Sequence, residues 1–131
     1  MRIWDAVLPL LPAGLKLIRY DLRGHGQSSA PPAPYSMGAL IRDAEQLLDY
    51  LDIRDCVFVG LSIGGMIAQG LAVKRLDQIR GLVLSNTAAK IGMPAMWQQR
   101  IEAVNTAGIE ALADTVMERW FSRRMRATPE V

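Results

Sequence analysis

The chain has 131 residues, half of them hydrophobic, and a net charge of +2. That is room for one small domain with a real core, and it leaves no long disordered tail. Basic residues are scattered, and their one cluster (Arg119, Arg123, Arg124, Arg126) reads as a solvated helix end, not a nucleic-acid surface. No apolar run approaches the ~20 residues needed to span a bilayer. Asp5, Pro9 and Pro12 interrupt the apolar residues after Arg2, which argues against a signal peptide. The lone cysteine, Cys56, makes no intrachain disulfide and suits the role of a small buried hydrophobe. These features predict a soluble cytoplasmic protein with neither a nucleic-acid nor a membrane partner.

In chain order, Trp4 to Leu11 is expected to form a short helix, ended by Pro12 and Gly14. Leu15–Tyr20 reads as a strand. Residues 21–34, with Gly24, Gly26 and three prolines, read as a loop. Ser36 can cap the next helix, in which Met37, Leu40, Ile41, Ala44, Leu47, Leu48 and Leu51 recur at spacings of three and four. Cys56–Gly60 reads as a parallel strand covered on both faces, because its hydrophobicity is continuous. A helix is expected from about Ile63 to Arg75, and another buried strand over Ile79–Ser85. Beyond Ala89 the pattern is helical. Pro94 suits a helix start, and Ile109, Leu112, Ala113, Val116, Met117, Trp120 and Phe121 form one stripe. Helices alternating with short buried strands predict an α/β fold, with a mostly parallel sheet flanked by helices. Residues 1–90 then form the core, and 91–131 begin a helical lid.

Gly60-Leu61-Ser62-Ile63-Gly64 matches G-x-S-x-G where that pattern carries meaning, between a strand and a helix. Ser62 at the apex would be a strained, exposed nucleophile. Gly60, Gly64 and Gly65 would let strand and helix approach closely, and the Ile63 N–H would lie at a helix N-terminus, ready to stabilise an oxyanion. The structural alternative is a close turn with Ser62 as a helix cap. Gly24-His25-Gly26-Gln27-Ser28-Ser29 nearly matches a dinucleotide fingerprint. Ser29 in place of the third glycine, and the prolines after it, exclude that reading. No lysine follows Gly64-Gly65, so a P-loop is also excluded. No cofactor and no metal are expected.

His25 is the sole histidine. It precedes the serine, whereas in hydrolases with this elbow the acid and the histidine follow it. His25 therefore reads as a loop-shaping residue bonded to backbone. Asp77 and Asp114 follow Ser62, but neither lies at the end of a strand. Trp97, Trp120, Met93, Met96 and Met117 read first as packing, with Trp120 also a candidate lid contact to substrate.

Three segments together resemble the α/β-hydrolase superfamily: Asp21-Leu22-Arg23-Gly24-His25-Gly26-Gln27-Ser28, Gly60-Leu61-Ser62-Ile63-Gly64-Gly65, and Leu84 through Gly92. Within it, that third segment and Glu118-Arg119-Trp120-Phe121 are most similar to 3-oxoadipate enol-lactonases of the β-ketoadipate pathway. The resemblance covers nearly the whole chain but only the middle of the family's fold. It implies that Leu15–Tyr20, Cys56–Gly60 and Ile79–Ser85 are the fourth, fifth and sixth strands in a sheet ordered 1-2-4-3-5-6-7-8. Strand three would then be absent between two strands that are present. That leaves three expectations: a partial chain of a longer enzyme, completion by other segments with self-association through exposed sheet edges, or direct pairing of the two strands.

The resemblance also implies a small ester or lactone substrate, with Ser62 and the Ile63 N–H as the catalytic parts carried over and the triad Asp and His not carried over. Arg119 or Arg100, both beside lid aromatics, are candidates to pair with a substrate carboxylate. Cofactor-free haloperoxidase or perhydrolase chemistry and carbon–carbon bond hydrolysis share the serine elbow. A catalytically silent fragment, or a subunit that acts by association, is the competing expectation.

Overall fold

A computed structural model describes residues 2–128. The chain divides after Ala89 into two compact units. In the first, Ser36 caps helix α1 (Met37–Tyr50), its hydroxyl accepting the Ala39 N–H at 3.1 Å. Strand β1 (Cys56–Leu61) leads through Ser62 into helix α2 (Ile63–Lys74), and strand β2 (Ile79–Ser85) follows. β1 and β2 pair in parallel, with Phe58 opposite Leu82, Val59 opposite Val83 and Leu61 opposite Ser85. A right-handed connection through a helix is the usual way to join two such strands.

The core forms where α1 and α2 meet one face of this pair. Leu40, Ala44 and Leu48 recur every four residues along α1 and are buried against Ile67, Leu71 and Ile79. Phe58, Leu82 and Cys56 pack on the same cluster from the sheet. Cys56 thus takes the small-hydrophobe role, and burial pushes its thiol pKa up. On the polar side of α1, Asp49 receives two bonds from Arg75, at 3.0 and 3.2 Å, and Glu45 receives Lys74 at 3.1 Å.

Three expectations are corrected here. Trp4 to Leu11 is not a helix but two separate 3-10 turns, Arg2–Trp4 and Leu8–Leu10, with Pro9 within the second. Leu15–Tyr20 forms no strand. A strand exists only by pairing, and among the described residues β1 bonds to β2 alone, so direct pairing of Leu15–Tyr20 with β1 does not occur. The strands are not covered on both faces, because Val57, Val59 and Val83 remain about half exposed. Continuous hydrophobicity in β1 reports what the strand is suited to, not what the described residues supply.

The second unit contains α3 (Pro94–Ala107), a 3-10 turn at Ile109–Leu112, α4 (Ala113–Trp120) and the one-turn α5 (Arg123–Arg126). Pro94 opens α3 as expected, and Gly108 at φ +78° ends it. The stripe beginning at Ile109 is divided between the 3-10 turn and α4, and Phe121 caps the end of α4. None of these helices has a fully buried residue among those described.

Candidate active site: a serine on a strained elbow

Ser62 has φ 53° and ψ −116°, a conformation that a residue with a side chain adopts only when its surroundings impose it. Such strain costs on the order of 1–3 kcal/mol and clusters at functional sites. What imposes it can be named. The Ser62 N–H donates to the Ser85 carbonyl at 3.0 Å. The Ser62 carbonyl accepts the N–H groups of Gly65 (3.0 Å) and Met66 (3.3 Å) and the Thr87 hydroxyl (2.7 Å).

The side chain is left free by this arrangement. Ser62 is exposed, and its hydroxyl makes no capping bond to α2. The helix-cap alternative therefore fails. The Ile63 N–H beside it is at the first position of α2, where an amide has no acceptor within the helix. An exposed oxygen nucleophile next to an unengaged amide donor can attack a carbonyl and hold the charge that develops on its oxygen.

Two of the three expected glycines make the bend possible by lacking a side chain. A Cβ at Gly60 would collide with the Gly64 carbonyl and fall 2.5 Å from the Gly65 nitrogen. A Cβ at Gly65 would fall 2.5 Å from the Thr87 methyl. At Gly64 a Cβ would meet nothing within 4 Å, so Gly64 contributes its main chain and not its lack of a side chain.

The other sequence candidates are elsewhere. His25 is exposed, with its Nδ1 3.1 Å from the Arg23 carbonyl in its own loop. That loop is fastened to α1 by Arg23, which makes two bonds to the Asp43 carboxylate at 2.5 and 2.6 Å and lies over the Tyr35 ring. Asp77 lies in the turn before β2, 3.8 Å from Arg75, at the opposite end of the parallel pair from Ser62. Asp114 is in the first turn of α4. No group of three or more His, Cys, Asp or Glu among the described residues is arranged to hold a metal ion.

In the second unit, Arg119 and Arg100 line one cavity of about 170 Å³ with Met96, Gln99, Leu112, Thr115 and Val116. Arg100 lies over the Trp97 ring, and Arg119 points Nη1 at the Met96 sulfur, 3.6 Å away. Trp120 is not among the lining residues and is 68% exposed. Sequence reading also missed Thr87 and Gln69. The signal was present in Ser85-Asn86-Thr87, since asparagine is among the few residues that tolerate the left-handed backbone, and Asn86 has φ 45°.

A parallel βαβ unit with an exposed serine on a strained strand-to-helix bend has the geometry of a nucleophile elbow. The chain belongs to the alpha/beta hydrolase fold family, whose profile matches residues 1–108. It is 37% identical over 122 residues to 3-oxoadipate enol-lactonase 2 of Acinetobacter baylyi, covering 93% of this chain and 46% of that protein. A hydrolase from Pseudomonas aeruginosa superposes with a TM-score of 0.89 at 42% identity, over 98% of this chain and 50% of that one. The enol-lactonase from Burkholderia xenovorans gives a TM-score of 0.77 at 45% identity, over 82% and 41%. The chain thus spans about half the length of the relatives it matches. No helix among the described residues is long and apolar enough to cross a membrane.

Proposed function

We propose that Ser62 is the nucleophile of a hydrolase acting on carboxylic esters or lactones, and that the enol-lactone of 3-oxoadipate is its substrate. One observation carries the reading: the Ser62 hydroxyl is held exposed at φ 53° beside the unengaged Ile63 N–H. The likeness to enol-lactonases, at 37% and 45% identity, supports the substrate.

In this reading Ser62 Oγ adds to the lactone carbonyl as its proton passes to a base. The Ile63 N–H holds the oxyanion, and the ring C–O bond breaks as the base returns its proton to the leaving enol oxygen, giving an acyl-serine. Water then releases the acid and restores the hydroxyl. An enol-lactone of a dicarboxylic acid uses one carboxyl in the ring and leaves the other charged. Arg119, with Arg100 beside it in one cavity, is proposed to take that group. Trp120 is proposed as a contact to the apolar part.

A second reading concerns turnover. The only histidine is bonded within its own loop, and Asp77 lies at the far end of the sheet. We propose that these 131 residues, taken alone, acylate only slowly, with solvent taking the serine proton, and do not turn over, because the base and acid come from other polypeptide. Incubation with p-nitrophenyl acetate and with the enol-lactone tests both statements. A burst of one product per chain, lost in Ser62→Ala, supports acylation without turnover. Steady turnover would overturn the second reading, and no burst from the folded chain would overturn the first. Burst formation with peroxide-dependent oxidation or with a carbon–carbon cleavage substrate, but not with lactone, would move the activity to those chemistries.

A further inference from the structure

We propose that Thr87 is a positioning residue that aims the Ile63 N–H, and that holding the elbow in this way is the role of Ser85 to Ala88, at the end of β2 and just beyond it. The inference rests on the hydrolase reading for its purpose, but its geometry stands apart from it.

A trans peptide unit is planar, so the Ser62 carbonyl and the Ile63 N–H are opposite ends of one rigid body. Whatever fixes the direction of that carbonyl fixes the direction of the amide. Two of the carbonyl's three donors, the Gly65 and Met66 amides, belong to the start of α2. The third, the Thr87 hydroxyl at 2.7 Å, is the shortest of the three and comes from outside the helix. The preceding peptide unit is held by the same stretch, through the Ser62 N–H on the Ser85 carbonyl. Both planes flanking Ser62, and hence its unusual φ and ψ, are therefore tied to residues 85–87.

The stretch itself has little room to shift. Thr87 lies against the face of Gly65, where an added Cβ would fall 2.5–2.8 Å from its side-chain atoms. One turn along α2, the Gln69 amide group reaches both the Gly65 carbonyl (3.2 Å) and the Ala88 carbonyl (3.4 Å). The left-handed Asn86 turns the chain back between Ser85 and Thr87. Thr87 makes no bond to the Ser62 hydroxyl, so it acts through the peptide plane and not on the reacting atoms.

Thr87→Val keeps the shape and removes the hydroxyl, while Thr87→Ser keeps the hydroxyl and removes the methyl. In the isotope-labelled chain, NMR reads the Ser62 carbonyl ¹³C and the Ile63 amide ¹⁵N directly. Thr87→Val should shift both and leave the α1 amides in place, and Thr87→Ser should stay close to the parent. Thr87→Ala serves as the second hydroxyl-free variant if the valine does not fold. No shift on loss of the hydroxyl, or an equal shift in Thr87→Ser, overturns the proposal and leaves Thr87 a packing residue. The fluorophosphonate labelling rate at Ser62 should fall about tenfold in Thr87→Val, short of the ~10²–10³ that losing a whole oxyanion donor costs. A parent chain that is not labelled at all counts against the hydrolase reading, while the carbonyl shift still decides the role of Thr87.

Discussion

The α-carbon of Gly60 faces the main chain of Gly64 so closely that no side chain fits between strand and helix. The obstacle is backbone on both sides and cannot rotate away. Gly60→Ala should cost about 3 kcal/mol, at the upper end for overpacking. Gly65→Ala presses on the Thr87 side chain and should cost less, about 1–2 kcal/mol. Gly64→Ala opens onto free space and should be neutral or stabilising by up to ~1 kcal/mol, since alanine favours the helix. Urea denaturation of the three variants gives the order, and a Gly60→Ala chain as stable as Gly64→Ala would contradict the close approach.

Tyr20 gives a pH signature. Burial, and secondarily the Asp43 carboxylate, pushes its hydroxyl pKa from 10.0 up to about 12. The unfolded chain loses this proton first, so the stabilisation is complete below pH 10 and is lost as pH rises toward 12. The difference in stability between the parent chain and Tyr20→Phe should therefore narrow over that window, by roughly 2–3 kcal/mol. The tyrosinate absorbance that is missing in Tyr20→Phe should develop in the parent near pH 12. Its development near pH 10 would contradict the burial.

Much of the first unit could be read from the sequence because its signals are local. The four-residue recurrence of Leu40, Ala44 and Leu48 places α1, Ser36 marks its start, and Ser62 between a strand and a helix marks the elbow. What was not legible depends on partners distant in sequence. Leu15–Tyr20 has strand composition but no ladder to join among the described residues. Gly64 looks like a space-making residue until Gly60 and Gly65 are seen to meet the crowded neighbours. Thr87, 25 residues from Ser62, becomes part of the site only through the register that sets Ser85 beside Leu61.

Arg100 and Arg119 have no acid three or four residues away on their own helices, and neither has an ion-pair partner among the described residues. Arg126, by contrast, lies 3.6 Å from Glu118. Two guanidinium groups lining one cavity without a counter-charge suit an anionic group. Arg119→Ala should weaken binding of an anionic ester by about tenfold, the worth of one charge-assisted hydrogen bond, and leave a neutral ester of equal size unchanged. Titration by tryptophan fluorescence reads both. Equal affinity for the anionic ester in parent and variant would remove Arg119 from recognition.

Reaction of the folded chain with a fluorophosphonate, followed by peptide mass spectrometry, tests the nucleophile itself. The expected result is one adduct per chain, on Ser62, absent from Ser62→Ala. A folded chain that stays unmodified, or that carries the adduct on another residue, would contradict the assignment.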